Sequence, residues 1–363
     1  TFTGNVTVND LITTANSGTI TLNGAANTFV AAVDFADNTL VTLGDANTDS
    51  STFAGGVVFS NAGASALQGA FVTTNQNANF GTGGVTLGAD TTITTGAGGG
   101  DIAFGAGITG AFDLGLTAGT GAVTVAGITN ITDLGLAQAA SNTFTGNVTV
   151  NDLITTANSG VITLNGAANT FAVAVAFADT DAVTLGTSAF NGGVSFTAGT
   201  PITLRGAITT AGAVDFLAGG VTLTANSSVV STITDATGGA ITFGAGITDG
   251  AATFNLALDA GTGGAVTVAT NTTINDLTLT RAASNTFTGN VQVNDLVTTN
   301  TSGPITLNGS NTFAAAVSFL DTDTVTLGTS AFNGGVTFTA ATPIVLRGAI
   351  TTAGAVDFLA GGV

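Results

Sequence analysis

The chain repeats itself almost word for word, and few folds accommodate that. TFTGNVTVNDLITTANSG starts at Thr1, returns at Thr143 with its core letters unchanged, and comes back at Thr286 as TFTGNVQVNDLVTTNTSG. The offsets are 142 residues (Thr1 to Thr143) and 143 residues (Thr143 to Thr286). An enzyme builds one active site and has no need to spell its scaffold three times. A chain that copies a long unit builds length. The long units run over residues 1–142, 143–285 and a truncated 286–363.

A shorter repeat lies inside the long one. Its marker is an apolar β-branched residue, then Thr, then another apolar residue. It occurs as Ile162-Thr163-Leu164, Val183-Thr184-Leu185, Ile202-Thr203-Leu204, Val221-Thr222-Leu223, Ile241-Thr242-Phe243, Val266-Thr267-Val268 and Ile305-Thr306-Leu307. The first residues lie 21, 19, 19, 20 and 25 apart, then 39 for what reads as two coils. Seven coils in 143 residues give about 20 residues each, the size of a strand-per-coil solenoid repeat. A second strand fits within each coil, as in FAVAVAF from Phe171, GGVSF from Gly192 and DLTLT from Asp276. These segments alternate with period two, one face apolar and the other small or polar. NG, GG, NSG and DAGTG strings between them supply turn chemistry.

Phenylalanine tests the register. Phe177, Phe196 and Phe216 are 19 and 20 apart, and Phe319, Phe338 and Phe358 repeat those spacings. Phe35, Phe59 and Phe80 form a looser version. Stacked strands lie roughly 4.8 Å apart, so each trio predicts a column of core rings, one per coil. An aromatic ligand platform is the competing reading. The fold class that follows is all-β: a right-handed parallel β-helix (β-solenoid) with about 20 residues per coil and roughly 18 coils. It is expected to run as one continuous solenoid over residues 1–363, a rod of roughly 85 Å.

Composition removes whole classes of chemistry. There is no Cys, Met, Trp, Tyr, His, Lys or Glu; all 21 acids are Asp, and the cations are Arg205, Arg281 and Arg347. Without His or Cys there is no Ser-His-Asp or Cys-His nucleophile system, no common zinc site and no thiolate. Without Lys there is no Schiff base and no P-loop lysine. A net charge of −18 excludes a surface that tracks phosphates, so no nucleic-acid partner is expected. Mean hydropathy is +0.54, yet Thr, Asn, Ser and Gly break every apolar run short of the roughly 18 residues of a membrane helix. No membrane insertion is expected. Low-complexity disorder is the bland alternative given 53 Gly, and the strand formers in alternating order argue against it. The chain has no initiating Met and ends mid-repeat at Val363, so it reads as a segment of a longer polypeptide.

Tandem coils of about 19 to 21 residues, rich in Gly, Thr, Val and Asn and marked by ITLNG- and VTLG-like strings, resemble the filamentous-haemagglutinin-like giant surface proteins of bacteria. The resemblance covers the whole chain and its motifs are compositional. It implies a right-handed β-helical stalk, secretion across an outer membrane, and an adhesive or structural surface role. No secretion domain of that family is visible in these residues.

Candidate sites are few, and no catalytic, cofactor-binding or metal residue is assigned. Asp179-Thr180-Asp181 and Asp321-Thr322-Asp323 pair carboxylates two apart in a turn, a spacing that could hold Ca²⁺ with backbone carbonyls. The first unit has Asp37-Asn38-Thr39 there, without the second acid. The competing reading is solvated turn aspartates that cap backbone N–H groups. Asn9-Asp10, Asn151-Asp152, Asn275-Asp276 and Asn294-Asp295 each precede Leu, and Asn275 to Asn294 is one coil. That spacing predicts a ladder of turn Asn side chains bonded from coil to coil. Paired carboxylates for glycoside hydrolysis would lack cationic or aromatic help here. Arg205 and Arg347 share a repeat position, where the first unit has Gln68, and Arg281 corresponds to Gln138; all three read as incidental, with local salt bridges or solvent exposure sufficient for each. Thr143-Phe144-Thr145 and its copies at Thr1 and Thr286 suggest an ice-matching array, but copies seven coils apart would not make one.

The functional expectation is a structural extracellular fibre or surface filament segment: a rigid, non-catalytic solenoid rod, without cofactor, that gives length and durability. Self-association, lateral or end to end, is the expected partnership, at a bacterial cell surface or outside the cell. The alternative is the stalk of an adhesin that binds glycans or neighbouring cells through one face. Such a face should show clustered departures from the repeat, and the visible ones, such as residues 60–76, look scattered along the sequence.

Overall fold

The computed structural model describes residues 1–36, 39–60, 63–217, 219–232, 236–251, 253–339 and 341–358. None of these residues is helical; strands of two to ten residues alternate with turns. The chain divides into two compact units, Thr1–Ala172 with Phe177–Asp181, and Val173–Ala176 with Ala182–Val363.

Both units follow one plan. A turn of the first unit holds the strands Leu114–Thr117, Ala122–Val125 and Thr129–Asn130. Each pairs in parallel with its counterpart one turn on: Leu114 opposite Leu134, Val123 opposite Asn142, Thr129 opposite Val148. In the second unit, Val194, Val214, Ile241, Val266, Asn285, Ile305, Val325 and Ile344 form one in-register column. This is a parallel β-solenoid, with about 17 turns of roughly 20 residues in the two units together.

Three features correct the sequence reading. A turn carries three strands, not two. The third is often only two residues long, as at Ile108–Thr109 and Ile247–Thr248, too short for alternation to register. The Ile-Thr-Leu-like triplets do not all lie on one sheet. Val221 pairs with Ile247, whereas Ile241 pairs with Val214 and Val266. The step from Val221 to Ile241 therefore covers two strands of three, and the 143-residue unit falls one-third of a turn short of seven. The turn count is also lower than the length suggests, because the turns from Val214 to Ile241 and from Ile241 to Val266 take 27 and 25 residues.

The core follows from the alternation. Inward positions are Leu, Ile, Val and Phe, nearly all fully buried. The rings stack as their spacing predicts. Phe35, Phe59, Phe80 and Phe104 have successive centroid separations of 4.9, 5.2 and 4.7 Å. Phe196, Phe216 and Phe243 stand 5.4 and 4.8 Å apart, and Phe319, Phe338 and Phe358 stand 5.0 and 5.3 Å apart. All but Phe358 are buried, so these columns are core and not a ligand platform.

The corners are held by a buried amide that the sequence reading missed. Asn27, Asn169 and Asn311 each precede Thr-Phe, are at most 2% exposed and accept a backbone N–H from the preceding turn, whereas Asn142 and Asn285, equally buried before Thr-Phe, donate to Ser159 O and Ser302 O. Asn311 Oδ1 accepts the Val291 N–H one turn earlier at 3.1 Å, and its Nδ2 donates to Gly309 O at 3.1 Å. Asn27 does the same with Val6 N–H and Gly24 O, both at 3.0 Å. A buried backbone N–H needs a partner, and this side chain supplies it where the sheet ladder breaks. Glycine serves the corners sterically: a Cβ at Gly127 or Gly146 would collide with the backbone of Gly107 or Gly127 in the neighbouring turn.

Two outcomes follow. Phe216→Ala opens a cavity in the middle of a ring column and should cost about 3–5 kcal/mol, read from urea melts. Asn311→Ala leaves the Val291 N–H without its acceptor and should cost about 1–3 kcal/mol, with faster hydrogen exchange at that amide.

Candidate functional site: an aspartate ladder beside a glycine-floored trough

The most concentrated chemistry lies on one sheet face of the first unit. Asp90, Asp113, Asp133 and Asp152 occupy one column, one residue per turn. Asp133 and Asp152 are paired in register, and Asp90, Asp113 and Asp133 each precede residues that are. The carboxylates of Asp90, Asp113 and Asp133 each accept the backbone N–H of the aspartate one turn on. The Asp113 N–H donates to Asp90 Oδ1 at 3.2 Å, the Asp133 N–H to the Asp113 carboxylate, and the Asp152 N–H to Asp133 Oδ1 at 3.0 Å. Asn151 Nδ2 adds a bond to Asp133 Oδ1 at 3.1 Å. The expected Asn ladder is therefore largely an Asp ladder. Its signal in the sequence was the Asp-Leu dipeptide at 113, 133 and 152, not the Asn before it.

In the second unit the homologous column is Asn226, Asn255, Asp276 and Asp295. The Asn255 N–H donates to Asn226 Oδ1 at 3.0 Å, Asn275 Nδ2 to Asn255 Oδ1 at 2.8 Å, and Asn294 Nδ2 to Asp276 Oδ1 at 2.9 Å. The geometry persists with half the charge.

Like charges one strand spacing apart repel. Partial burial, then Asp133 and Asp90, raise the Asp113 carboxyl above its ordinary value, against the lowering effect of the Asp133 N–H. Burial and then Asp133 raise Asp152, and burial and then Asp276 raise Asp295. Asp215 is raised by burial alone, and its Oδ1 has no partner.

The strand positions next to the ladder form a trough. Thr92, Gly115, Gly135 and Ile154 are in register on the same outward face, two residues beyond the four aspartates. Two hollows of about 350 and 230 Å³ meet over these four residues. The aspartates Asp90, Asp113 and Asp133 line one end, and Thr94, Thr117 and Thr156 the other.

The other candidates are placed as follows. Asp179 and Asp321 are buried, 5% exposed each, and not solvated as expected. Asp321 Oδ2 accepts the Gly303 N–H at 2.7 Å and Oδ1 the Asp323 N–H at 3.0 Å. Asp179 takes the Gly160 and Asp181 N–H groups at 2.7 and 2.9 Å. Both carboxylates thus cap backbone, because the turn would otherwise bury those donors. Asp37 and Asn38 lie outside the described residues. No group of three or more acids that could hold a metal ion occurs among the described residues.

Arg281 makes a local salt bridge, as expected. Its Nε and one terminal nitrogen hold Asp259 Oδ1 and Oδ2 at 3.1 and 3.0 Å. The first unit has Thr117 opposite Gln138 at these paired positions. Arg347 reaches Asn308 Oδ1 at 3.5 Å. The threonines form longer rows than their words suggest. Thr286 is flanked in register by Thr242, Thr267, Thr306 and Thr326, and Thr143 by Thr124 and Thr163. Only the first threonine of each Thr-x-Thr word is continued, since Ala269 and Asn308 stand in the neighbouring turns where Thr288 stands in its own, so the full words remain turns apart.

No protein-family model matches the chain, and neither a curated protein nor a solved structure matches it.

A carboxyl whose pKa is higher in the folded than in the unfolded chain binds its proton more tightly when folded, so acid favours folding. The gain accrues as pH falls from neutral through the raised values, above the ordinary Asp value of about 3.9. The melting temperature should rise as pH falls from 7 toward the ordinary Asp value of about 3.9. Asp113→Asn, the residue that the second unit carries at 255, should raise it at pH 7 and flatten the pH dependence. A differential-scanning series across pH reads both.

Proposed function

We propose that the chain is a segment of a structural extracellular fibre or surface filament: a rigid, non-catalytic β-solenoid that supplies length and durability. The observation that carries this is the pairing itself. Strands bond to the turns before and after, so stability grows with extent and needs no specialised centre. The residue inventory agrees, since the easily oxidised side chains Met, Cys, Trp and Tyr are absent and trypsin has three sites. The uncharged threonine rows suit lateral bundling, and terminal turns would suit end-to-end stacking wherever no continuing chain covers them. The likeness to filamentous-haemagglutinin-like proteins supports a place at a bacterial surface or outside the cell, on composition and coil size. The alternative, an adhesin stalk that contacts glycans or neighbouring cells through one face, draws its support from the surface around Gly115, where the first unit departs from the second.

Electron microscopy of the native material tests the reading. A continuous fibre should show an axial period of about 32 Å, six and two-thirds strand spacings of about 4.8 Å. Isolated compact particles, or rapid digestion by trypsin and chymotrypsin, would sink it.

A further inference from the structure

The trough over Gly115 and Gly135 has no structural reason to exist. Most glycines of this chain sit where a Cβ would strike the backbone of a neighbouring turn or where φ is positive. These two do neither. A Cβ at Gly115 would meet only Thr92 Cγ2 at 3.4 Å, and one at Gly135 only the Gly115 Cα at 3.7 Å and Leu114 O at 3.8 Å, ordinary contacts. Both lie mid-strand, where glycine weakens a sheet and often marks the close approach of another backbone. The second unit provides an internal control. Its homologous column, Ser228, Ala257, Thr278 and Val297, is paired in the same register and carries a side chain at every position. The first unit thus gives up two side chains, in adjacent turns, to make a floor two strands wide. Ile154, half exposed, stands beside it as an apolar wall.

Charge identifies the occupant. The neighbouring column carries four aspartates where the second unit carries two, and no Lys or Arg occurs before Arg205. The first unit therefore has no side-chain cation to neutralise the row. Glycine floor, apolar wall and unneutralised carboxylates together suit an extended backbone that brings a cationic side chain with an aliphatic stem. We propose that this trough is a docking groove for an extended basic peptide. Its lysine or arginine enters among Asp90, Asp113, Asp133 and Asp152, while its backbone lies over Gly115 and Gly135. The groove is independent of the fibre reading: a stalk or a filament could equally carry it, and the binding test below leaves the axial period untouched.

Fluorescence anisotropy on the full chain at low salt tests it, with a fluorescein-labelled (Gly-Lys)₄ peptide and its (Gly-Gln)₄ counterpart as probes. The lysine peptide should bind saturably at one site and the glutamine peptide should not. Gly115→Ala with Gly135→Thr installs the residues of the second unit and leaves every charge in place; it should weaken binding tenfold or more. Asp113→Asn should weaken it several-fold, and Asp276→Asn, in the other unit, less than twofold. Should the double variant fail to melt like the parent, Gly115→Ala alone decides: its Cβ meets only Thr92 Cγ2 at 3.4 Å, an ordinary contact that the fold accommodates, and binding should weaken measurably. Equal binding by parent and glycine variant would overturn the groove, since attraction to an acidic chain would then explain everything. Full displacement of the peptide by equimolar Ca²⁺ or spermine would overturn the peptide as occupant.

Discussion

Parallel pairing of each strand with the one about 20 residues away is the constraint on which the rest depends. It satisfies backbone groups between turns, and it places residue above residue at roughly 4.8 Å. Every property of a side chain then becomes a property of a column. Inside, identity is favourable. Phe59, Phe80 and Phe104 stack because one ring offers the next a flat apolar surface of the right thickness. Leu114, Leu134 and Leu153 do the same with aliphatic surface. At the corners, where the ladder breaks, a buried Asn such as Asn311 supplies the missing acceptor.

Outside, the same stacking has opposite consequences for different residues. Threonines in register, as in the row through Thr286, cost nothing electrostatically. Aspartates in register repel, and the carboxyls of Asp113 and Asp152 rise for that reason on top of burial. The ladder tolerates them because these carboxylates also accept backbone N–H groups, Asp113 from Asp133 in the next turn and Asp152 from its neighbour Leu153, charge-assisted bonds that favour the ionised form. The balance leaves a row of partly frustrated acids. Such a row is a better partner for an external cation than an equal number of scattered surface aspartates, which the Debye length would screen from one another.

Much of the fold was legible because hydrophobic alternation and ring spacing are periodic signals. Phe319, Phe338 and Phe358 announce the turn length by themselves. The third strand was not legible, since Thr129–Asn130 is too short to alternate. The phase slip between Val221 and Ile241 was hidden because Ile-Thr-Leu-like triplets fit any strand with one inward face. They mark strands, and only their pairing marks turns. Asn27 and Asn311 were missed because Asn beside Gly-rich words reads as an exposed turn residue, and burial depends on where the corner folds. The candidate trough was invisible in sequence for a related reason. Gly115 and Gly135 are 20 residues apart among 53 glycines, and nothing but register makes them neighbours.

The same register explains how the copied units differ. Several substitutions between the first and second units fall in pairs one turn apart. Asp90 and Asp113 become Asn226 and Asn255; Gly115 and Gly135 become Ala257 and Thr278; Thr117 and Gln138 become Asp259 and Arg281. In the last case the physics is explicit, because an arginine at position 138 would face Thr117's hydroxyl in place of the bidentate carboxylate that Arg281 holds. A residue in a solenoid meets its in-register neighbours more closely than most of its own strand, so the column is the unit within which a change must be compatible. Differences that look scattered along the chain, at spacings near 20, are therefore local in space.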